Sequence, residues 1–171
     1  MPASAVVPLE TTHYVAKNCL CLHAQRAARA LAARFDAALR PAGLTNSQFS
    51  LLHALNGPRP KTLGAVAAVV GADRTTVTAA LKPLTRQGLV EASADAEDRR
   101  IRRLALTAEG RQRLAAALPL WTEAHAALEG ELDRARLGQL REDLRALSAA
   151  RLRAAADEPA GARNRTLAER S

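Results

Sequence analysis

The chain has 171 residues, a formal net charge of +8 and a sequence pI near 10.9. Only 2% of the residues are aromatic and alanine is abundant, which favours a mostly helical domain with additional oligomerisation helices. The positive charge indicates a polyanionic partner such as nucleic acid. The sequence has no apolar run of the roughly 18 to 20 residues that a membrane span needs, and its N-terminus lacks the pattern of a secretory signal. We therefore expect a cytoplasmic protein without a membrane partner.

The first predicted element is one long amphipathic helix. Its apolar residues recur with a period near 3.6 until the helix breakers Pro41 and Gly43. They are Val15, Leu20, Leu22, Ala27, Leu31, Phe35 and Leu39. We assign residues 12–44 to a dimerisation helix, and we expect residues 1–11 to be a flexible tail.

Three short helices are predicted next. Thr45 and Thr62 are good N-caps for the first two, and the third begins near Asp73. Pro83 lies inside the third helix, where it removes one backbone hydrogen bond and should bend the helix. The second and third helices are joined by a tight turn at Gly71, which is typical of a helix-turn-helix.

A β-hairpin is predicted directly after the helix-turn-helix. Residues 89–92 and 101–106 have the pattern of short strands around a polar loop, with Leu104 and Leu106 pointing inward. A helix-turn-helix followed by a hairpin is a winged helix. We predict a mainly α (α+β) fold in which residues 45–106 form a winged helix-turn-helix DNA-binding domain.

Two long helices are predicted to fill residues 107–156, the first of them capped by Thr107. Their apolar residues are Leu114, Leu118 and Trp121 on the first helix and Leu137, Leu140, Leu144 and Leu147 on the second. The small winged domain is unable to cover all of these stripes, so we expect a helical homodimer interface. Residues 157–171 are polar and contain Pro and Gly, and we expect them to be disordered.

Over residues 15–150 the sequence resembles the MarR family of transcription regulators. The most specific part is D-R-R at residues 98–100, followed by L-T at 106–107 and a glycine at 110. Further matching segments are 43–49, 73–78 and 84–90. The resemblance implies a homodimeric winged-helix repressor, not an enzyme, that binds a pseudo-palindromic site on double-stranded DNA. It also implies release by a small-molecule effector or by cysteine oxidation.

The predicted DNA contacts come from the recognition helix and from the wing. Hydroxyls and cations in the first turns of the helix can contact phosphates or base edges, although the threonines can instead serve only as helix caps. At the wing, we expect Asp98 to pair with Arg100 across the hairpin while a tip arginine enters the minor groove. Arg102 and Arg103 point to opposite faces of a strand, and we leave both outside the predicted contacts. The predicted set is Arg74, Thr75, Thr76, Thr78, Lys82, Arg86, Asp98, Arg99 and Arg100.

The resemblance places an effector pocket between the first helix, the second helix and the long helix after the wing. His23 and Arg26 are three residues apart, and this spacing would suit a phenolate or carboxylate held by charge-assisted hydrogen bonds. The alternative is that the histidines are satisfied in a dimer core or lie at the surface. The candidate effector-binding residues are His23, Arg26, His53, Trp121 and His125.

The two cysteines raise an alternative function. Cys21 falls where the organic-hydroperoxide sensors that the chain resembles keep a reactive cysteine, so an oxidant sensor or a thiol peroxidase is the alternative to a ligand-responsive regulator. Those sensors surround the thiol with tyrosines, whereas Tyr14 is the only tyrosine here. On one continuous helix, Cys19 and Cys21 would point apart and would be unable to bridge, which favours small buried apolar residues over a redox pair. No spacing matches a zinc motif, and we predict neither a metal nor a cofactor.

Overall fold

The computed structural model describes residues 6–131 and 133–157. The chain divides into two compact units, Met1–Ala124 and His125–Ser171. Most of the two tails, at residues 1–5 and 158–171, lies outside the described residues. Within the described part of the chain, no helix combines the length and hydropathy that a bilayer span requires.

The long N-terminal helix predicted from the sequence is two helices, α1 (Leu9–Asn18) and α2 (Leu20–Leu39). The break is at Cys19, whose backbone is extended, with φ −72° and ψ 103°. Cys19 acts as the N-cap of α2, because its Sγ accepts a hydrogen bond of 3.4 Å from the amide of Leu22. The prediction of one continuous helix was wrong, since a side-chain cap interrupts it without a glycine or proline.

Helix α1 begins at Leu9, within the segment that we expected to be a flexible tail. The apolar stripe that continues along α2 is buried only at its end, at Phe35 and Leu39. Of its other large members, Leu22 is half-buried, and Val15, Leu20 and Leu31 are exposed. The winged domain therefore covers only the last turns of this stripe.

The three short helices follow the prediction: α3 (Asn46–Leu55), α4 (Leu63–Val70) and α5 (Arg74–Arg86). In each helix, the side chain of the preceding residue accepts a hydrogen bond from the backbone amide of the third helical residue, as an N-cap does. The N-caps are Thr45, Thr62 and Asp73. Fully buried residues of these helices and of the wing base form the centre of the core: Leu52, Val66, Val77, Leu84 and Leu89.

The wing is a three-stranded antiparallel sheet and not a two-stranded hairpin. Its strands are β1 (Lys61–Thr62), β2 (Val90–Ala94) and β3 (Arg102–Leu106), in the order β1-β3-β2. The two-residue β1 is too short to leave an alternating pattern, so it could not be predicted. Leu104 and Leu106 are buried, which confirms the predicted inward face of β3.

The wing joins the long helix α6 (Ala108–Glu131) through a close contact of two backbone segments. Thr107 caps α6 by accepting the amide of Gly110 at 3.0 Å, and its own hydroxyl donates to the carbonyl of Gly88 at 2.6 Å. Its amide donates to the carbonyl of Leu89 at 3.2 Å. A Cβ at Gly110 would lie 3.0 Å from the carbonyl carbon of Leu89 and closer still to its oxygen. This close contact therefore requires a glycine at position 110, the last residue of the D-R-R, L-T, glycine pattern in the sequence.

The second unit contains the end of α6 and the helix α7 (Arg134–Asp157). Asp133 begins α7 by accepting the amide of Ala135 at 2.8 Å. Within this unit Arg141 donates to Glu129 at 2.6 Å. Three leucines of α7 keep about half of their surface exposed or more: Leu140, Leu144 and Leu147.

Candidate DNA interface

The start of α5 is held by a hydrogen-bonded cap that uses one of the predicted DNA contacts. Thr76 donates both its amide and its hydroxyl to the carboxylate of Asp73, at 2.8 and 2.7 Å. Both hydrogen bonds lower the pKa of Asp73, and the bond from the Thr76 hydroxyl has the larger effect. The hydroxyl proton of Thr76 is thus engaged within the protein, and its lone pairs remain open to a donor.

The other predicted DNA-contact residues of α5 differ in whether their side chains already make contacts within the protein. The hydroxyl of Thr78 donates to the carbonyl of Arg74 at 2.7 Å, along its own helix. The guanidinium of Arg74 lies against Gly64 of α4, where a Cβ would be 3.1 Å from its Nη2. Thr75 is exposed, and its side chain has no recorded partner among the described residues. Lys82 and Arg86 are exposed one turn apart further along the helix.

The turn of the wing is organised by Asp95, which the sequence analysis missed. One carboxylate oxygen accepts the amides of Glu97 and Asp98 at 2.9 and 3.1 Å. The other oxygen accepts a hydrogen bond from the guanidinium of Arg103, with which Asp95 forms an ion pair. The bond from Arg103 contributes most to lowering the pKa of Asp95. One side chain thus fixes the backbone of the turn and ties it to β3.

The predicted pairing of Asp98 with Arg100 across the hairpin was wrong. Asp98 accepts the backbone amide of Arg100 at 3.0 Å instead, as short acidic side chains do in tight turns. Both guanidinium groups at the tip, those of Arg99 and Arg100, are exposed and unpaired within the described part of the chain. The structure therefore presents two free cations at the wing tip, held by the backbone of the turn.

Arg102 and Arg103 have opposite orientations on β3, as their strand positions predict. Arg103 is engaged by Asp95, whereas Arg102 is exposed and, with Leu104, lines a groove beside α5. In the register of the sheet Arg102 lies opposite Ala94, which has no polar side chain to engage it.

An aromatic stack occupies the region where the effector pocket was expected. The ring of Trp121 lies 6.3 Å from Phe35 and 6.0 Å from Phe49, with interplanar angles of 30° and 16°. His53 is exposed, and its ring lies 6.1 Å from Phe49. Two of the five candidate residues, Trp121 and His53, thus lie around Phe49.

The remaining three effector candidates are placed separately. His23 Nε2 lies 3.0 Å from the carbonyl oxygen of Lys17, so this contact spans the break between α1 and α2. Arg26 is exposed on α2. His125 belongs to the second unit, where its Nδ1 lies 3.5 Å from a carboxylate oxygen of Glu129.

The two cysteines are free thiols, and neither is fully buried. Cys21 is exposed, and its Sγ accepts a hydrogen bond of 3.2 Å from the side-chain amide of Gln25. The expectation that both cysteines lie on one continuous helix was wrong, because Cys19 is the extended residue between α1 and α2. The expectation of buried apolar cysteines was also wrong. Among the described residues, no group of three or more His, Cys, Asp or Glu side chains is placed to hold a metal ion.

Comparison with known proteins places this geometry in a family. Residues 44–110 match the winged helix DNA-binding domain family. A comparison with curated protein sequences finds no significant match. The structure is similar to that of the Mycobacterium tuberculosis transcriptional regulator MosR in complex with DNA, with a TM-score of 0.73 and 39% identity, covering 80% of this chain and 98% of that one.

Three further solved structures share the fold. The transcriptional repressor CouR bound to a 23-mer DNA duplex is 28% identical, with a TM-score of 0.70, and the match covers 78% of this chain and 95% of that one. CouR from Rhodococcus jostii RHA1 has also been solved bound to p-coumaroyl-CoA. A MarR-family regulator from Rhodococcus sp. RHA1 is 23% identical, with a TM-score of 0.68 and coverage of 77% and 94%. With its recognition helix, its basic wing tip and these similarities, the chain belongs to the MarR family of winged-helix transcription regulators and is a DNA-binding regulator, not an enzyme.

Proposed function

We propose that the protein acts in the cytoplasm as a homodimeric repressor whose two winged-helix domains bind one pseudo-palindromic operator. The observation that carries the proposal is the pair of unpaired wing-tip cations, Arg99 and Arg100, on the same domain as a recognition helix with an exposed first turn. Guanidinium groups bind in narrow minor grooves, where the negative potential is strongest. We expect Arg74 and Thr75, in the exposed first turn of α5, to contact base edges, and Lys82 and Arg86 to contact backbone phosphates.

The apolar side chains left exposed outside the winged domain support the homodimer. On α1 and α2, Tyr14 is 68% exposed and Leu20 is 74% exposed. On α7, Leu140, Leu144 and Leu147 recur at a spacing of four and three residues, which places them along one face. Monomeric proteins seldom leave a stripe of apolar side chains such as that of α7 exposed to water. A second copy of the chain would cover it and could place two recognition helices about 34 Å apart, one turn of DNA.

We propose that a small aromatic or anionic effector releases the repressor. The support is the ring of Trp121, which stacks on Phe35 and on Phe49, together with the exposed ring of His53 next to Phe49. CouR, which shares the fold, has been solved both with DNA and with p-coumaroyl-CoA. An effector that inserts beside Trp121 would stabilise a form of the dimer whose recognition helices no longer match successive major grooves. The population of dimers would then shift toward this form, which binds the operator more weakly. His23 and Arg26, which belong to the same compact unit as Trp121, remain candidates for contacts with its anionic group.

A second candidate function, oxidant sensing through Cys21, is favoured by one observation. The thiol of Cys21 is exposed, and it already accepts a hydrogen bond from Gln25, a contact that would also stabilise a thiolate. Attack of that thiolate on a hydroperoxide would give a sulfenic acid and release the alcohol. Regulation would then need no bound effector.

Operator binding by fluorescence anisotropy tests these proposals in order. The wild-type chain should bind its operator, and Arg99→Ala/Arg100→Ala should bind far more weakly while keeping the same circular dichroism spectrum. Equal affinities would refute the assignment of the wing tip.

Hydroperoxide should then be added to the wild type and to Cys21→Ser. Release of the wild type alone would establish oxidant sensing, and identical responses would eliminate it in favour of a bound effector.

A further inference from the structure

A cavity of about 220 Å³ lies at the base of the wing. Its walls come from loop 56–60 after α3, from the strands β2 and β3, and from the start of α6. Ala105 lines it from the face of β3 that also carries Arg103, whereas Arg102 lies on the opposite face, beside α5. The cavity is smaller than the roughly 300–1,000 Å³ of pockets for drug-sized ligands, so it suits a smaller molecule.

A small side chain in the central strand leaves room for this cavity. In the register of the sheet, Ala105 lies opposite Glu91 of β2. On the other side of β3, Lys61 of β1 pairs with Leu104, which brings Pro60 beside position 105. Neighbouring strands lie about 4.8 Å apart, so the backbones at Glu91 and Pro60 are separated by about 10 Å, with one methyl group between them.

Charged side chains of both signs line the cavity. Glu91 supplies a carboxylate from β2, and Arg59 supplies a guanidinium from a position between two prolines, which restrict the backbone on both sides. Within the described part of the chain, no hydrogen bond or ion pair is recorded for either side chain. Arg111, the third charged lining residue, donates from Nη1 to the carbonyl of Leu106 at 2.8 Å and keeps its other N–H donors for a further partner.

We propose that this cavity is a binding site for a small zwitterion, an α-amino acid with an apolar side chain. The guanidinium groups of Arg59 and Arg111 bind its carboxylate, and the carboxylate of Glu91 binds its ammonium group. Its side chain packs against the buried residues Leu55 and Leu106 at the base. A ligand with a single charge fits less well, because Glu91 repels a carboxylate and the two arginines repel an amine.

The bound zwitterion would join the three segments that surround the cavity, namely loop 56–60, the sheet and the start of α6. It therefore stabilises the winged domain by mass action. The face of the sheet beside α5 stays open, so the ligand and DNA can bind together. This site is separate from the effector region that we propose beside Trp121, and it does not depend on that proposal.

Isothermal titration calorimetry with L-valine and two analogues tests the proposal in the absence of DNA. Isovalerate lacks the ammonium group of L-valine, and L-valinamide has a neutral amide in place of its carboxylate. The wild type should bind L-valine about tenfold more tightly than either analogue, or better, because each analogue loses one charge-assisted contact.

Three variants separate the two charges from the shape of the cavity. Glu91→Gln should lose the preference for L-valine over isovalerate, since the contact with the ammonium group and the repulsion of the carboxylate disappear together. Arg59→Gln should weaken the binding of L-valine and leave that of L-valinamide unchanged. Ala105→Val fills the space between the strands without changing a charge, and it should abolish binding, although a β-branched residue suits a strand.

Glu97→Gln is the matched control for Glu91→Gln. It removes the same charge from an exposed residue of the wing loop that does not line the cavity, so it should bind L-valine as the wild type does. Circular dichroism establishes that each variant is folded.

A wild type that does not bind L-valine, or that binds L-valine and isovalerate equally, would overturn the proposal. An equal loss of affinity in Glu97→Gln and Glu91→Gln would overturn it too, because the effect would then come from the net charge and not from the cavity. Failure of the proposed repressor function would look different, since the wild type would not bind the operator while its titration with L-valine stayed the same.

Discussion

Replacing Gly110 with alanine sets two physical effects of opposite sign against each other. In an exposed helix interior, Gly→Ala stabilises by up to about 1 kcal/mol, because alanine loses less backbone entropy on folding. At Gly110, however, the added Cβ would lie 3.0 Å from the carbonyl carbon of Leu89, and closer still to the oxygen. The obstacle is backbone, which is unable to rotate away as a flexible side chain can.

The geometry indicates that the unfavourable effect is larger. Overpacking against a fixed neighbour costs about 1–3 kcal/mol. Moving α6 away from Leu89 would also strain the two hydrogen bonds that Thr107 donates, to Gly88 at 2.6 Å and to Leu89 at 3.2 Å. Each is worth about 0.5–1.5 kcal/mol. After the helix-propensity gain is subtracted, we expect Gly110→Ala to lower the free energy of unfolding by about 2 kcal/mol.

Thermal unfolding at one fixed protein concentration provides the assay, because oligomers have concentration-dependent midpoints. A loss of 2 kcal/mol corresponds to a decrease in Tm of about 4–8 °C for a chain of this size. Gly138→Ala in α7 is the control, since nothing lies within 4 Å of a Cβ built there, and it should match or slightly exceed wild-type stability. A Gly110→Ala variant as stable as Gly138→Ala would refute the reasoning.

Three further predictions concern the core, the wing and the dimer. Leu52→Ala removes a fully buried side chain and should cost about 2–5 kcal/mol in urea unfolding, where a smaller loss would mean that the core collapses around it. Asp95→Asn should lower Tm at pH 7, because a carboxyl with a depressed folded pKa stabilises the fold above its ordinary pKa of about 3.9. That stability is lost as pH falls through the folded pKa, so melts from pH 7 to 3 should converge, and a constant difference would contradict the ion pair with Arg103. Leu144→Glu should shift sedimentation to a monomer without loss of helicity, and an unchanged dimer would place the interface elsewhere.

Local signals in the sequence were sufficient to predict where most of the helices begin and end. The caps Thr45, Thr62 and Asp73 and the turn glycine Gly71 act within three or four residues, so their partners can be found along the chain itself. The same local reasoning failed at Cys19, because a thiol cap has no strong preference for that position, and neither glycine nor proline marks the break.

The wing was less predictable because its contacts join residues that are far apart in sequence. Strand alternation predicts that Arg102 and Arg103 face opposite ways, but only the folded sheet shows which one faces α5. The ion pair of Asp95 with Arg103 spans the loop, and nothing in the local pattern distinguishes Asp95 from Asp98 as the residue that organises it. The aspartate closest to the arginines in sequence was therefore chosen wrongly.

The alternation along β3 also limits how the wing can change in evolution. Residues 95–101 form the wing loop, so insertions there can alter its reach while Leu104 and Leu106 stay anchored in the core. An insertion or deletion of one residue inside β3 would reverse the two faces, turning Arg103 toward α5 and Arg102 toward Asp95. Among relatives that keep this arrangement of charges, we expect length variation to concentrate in the loop and to be absent from the strand.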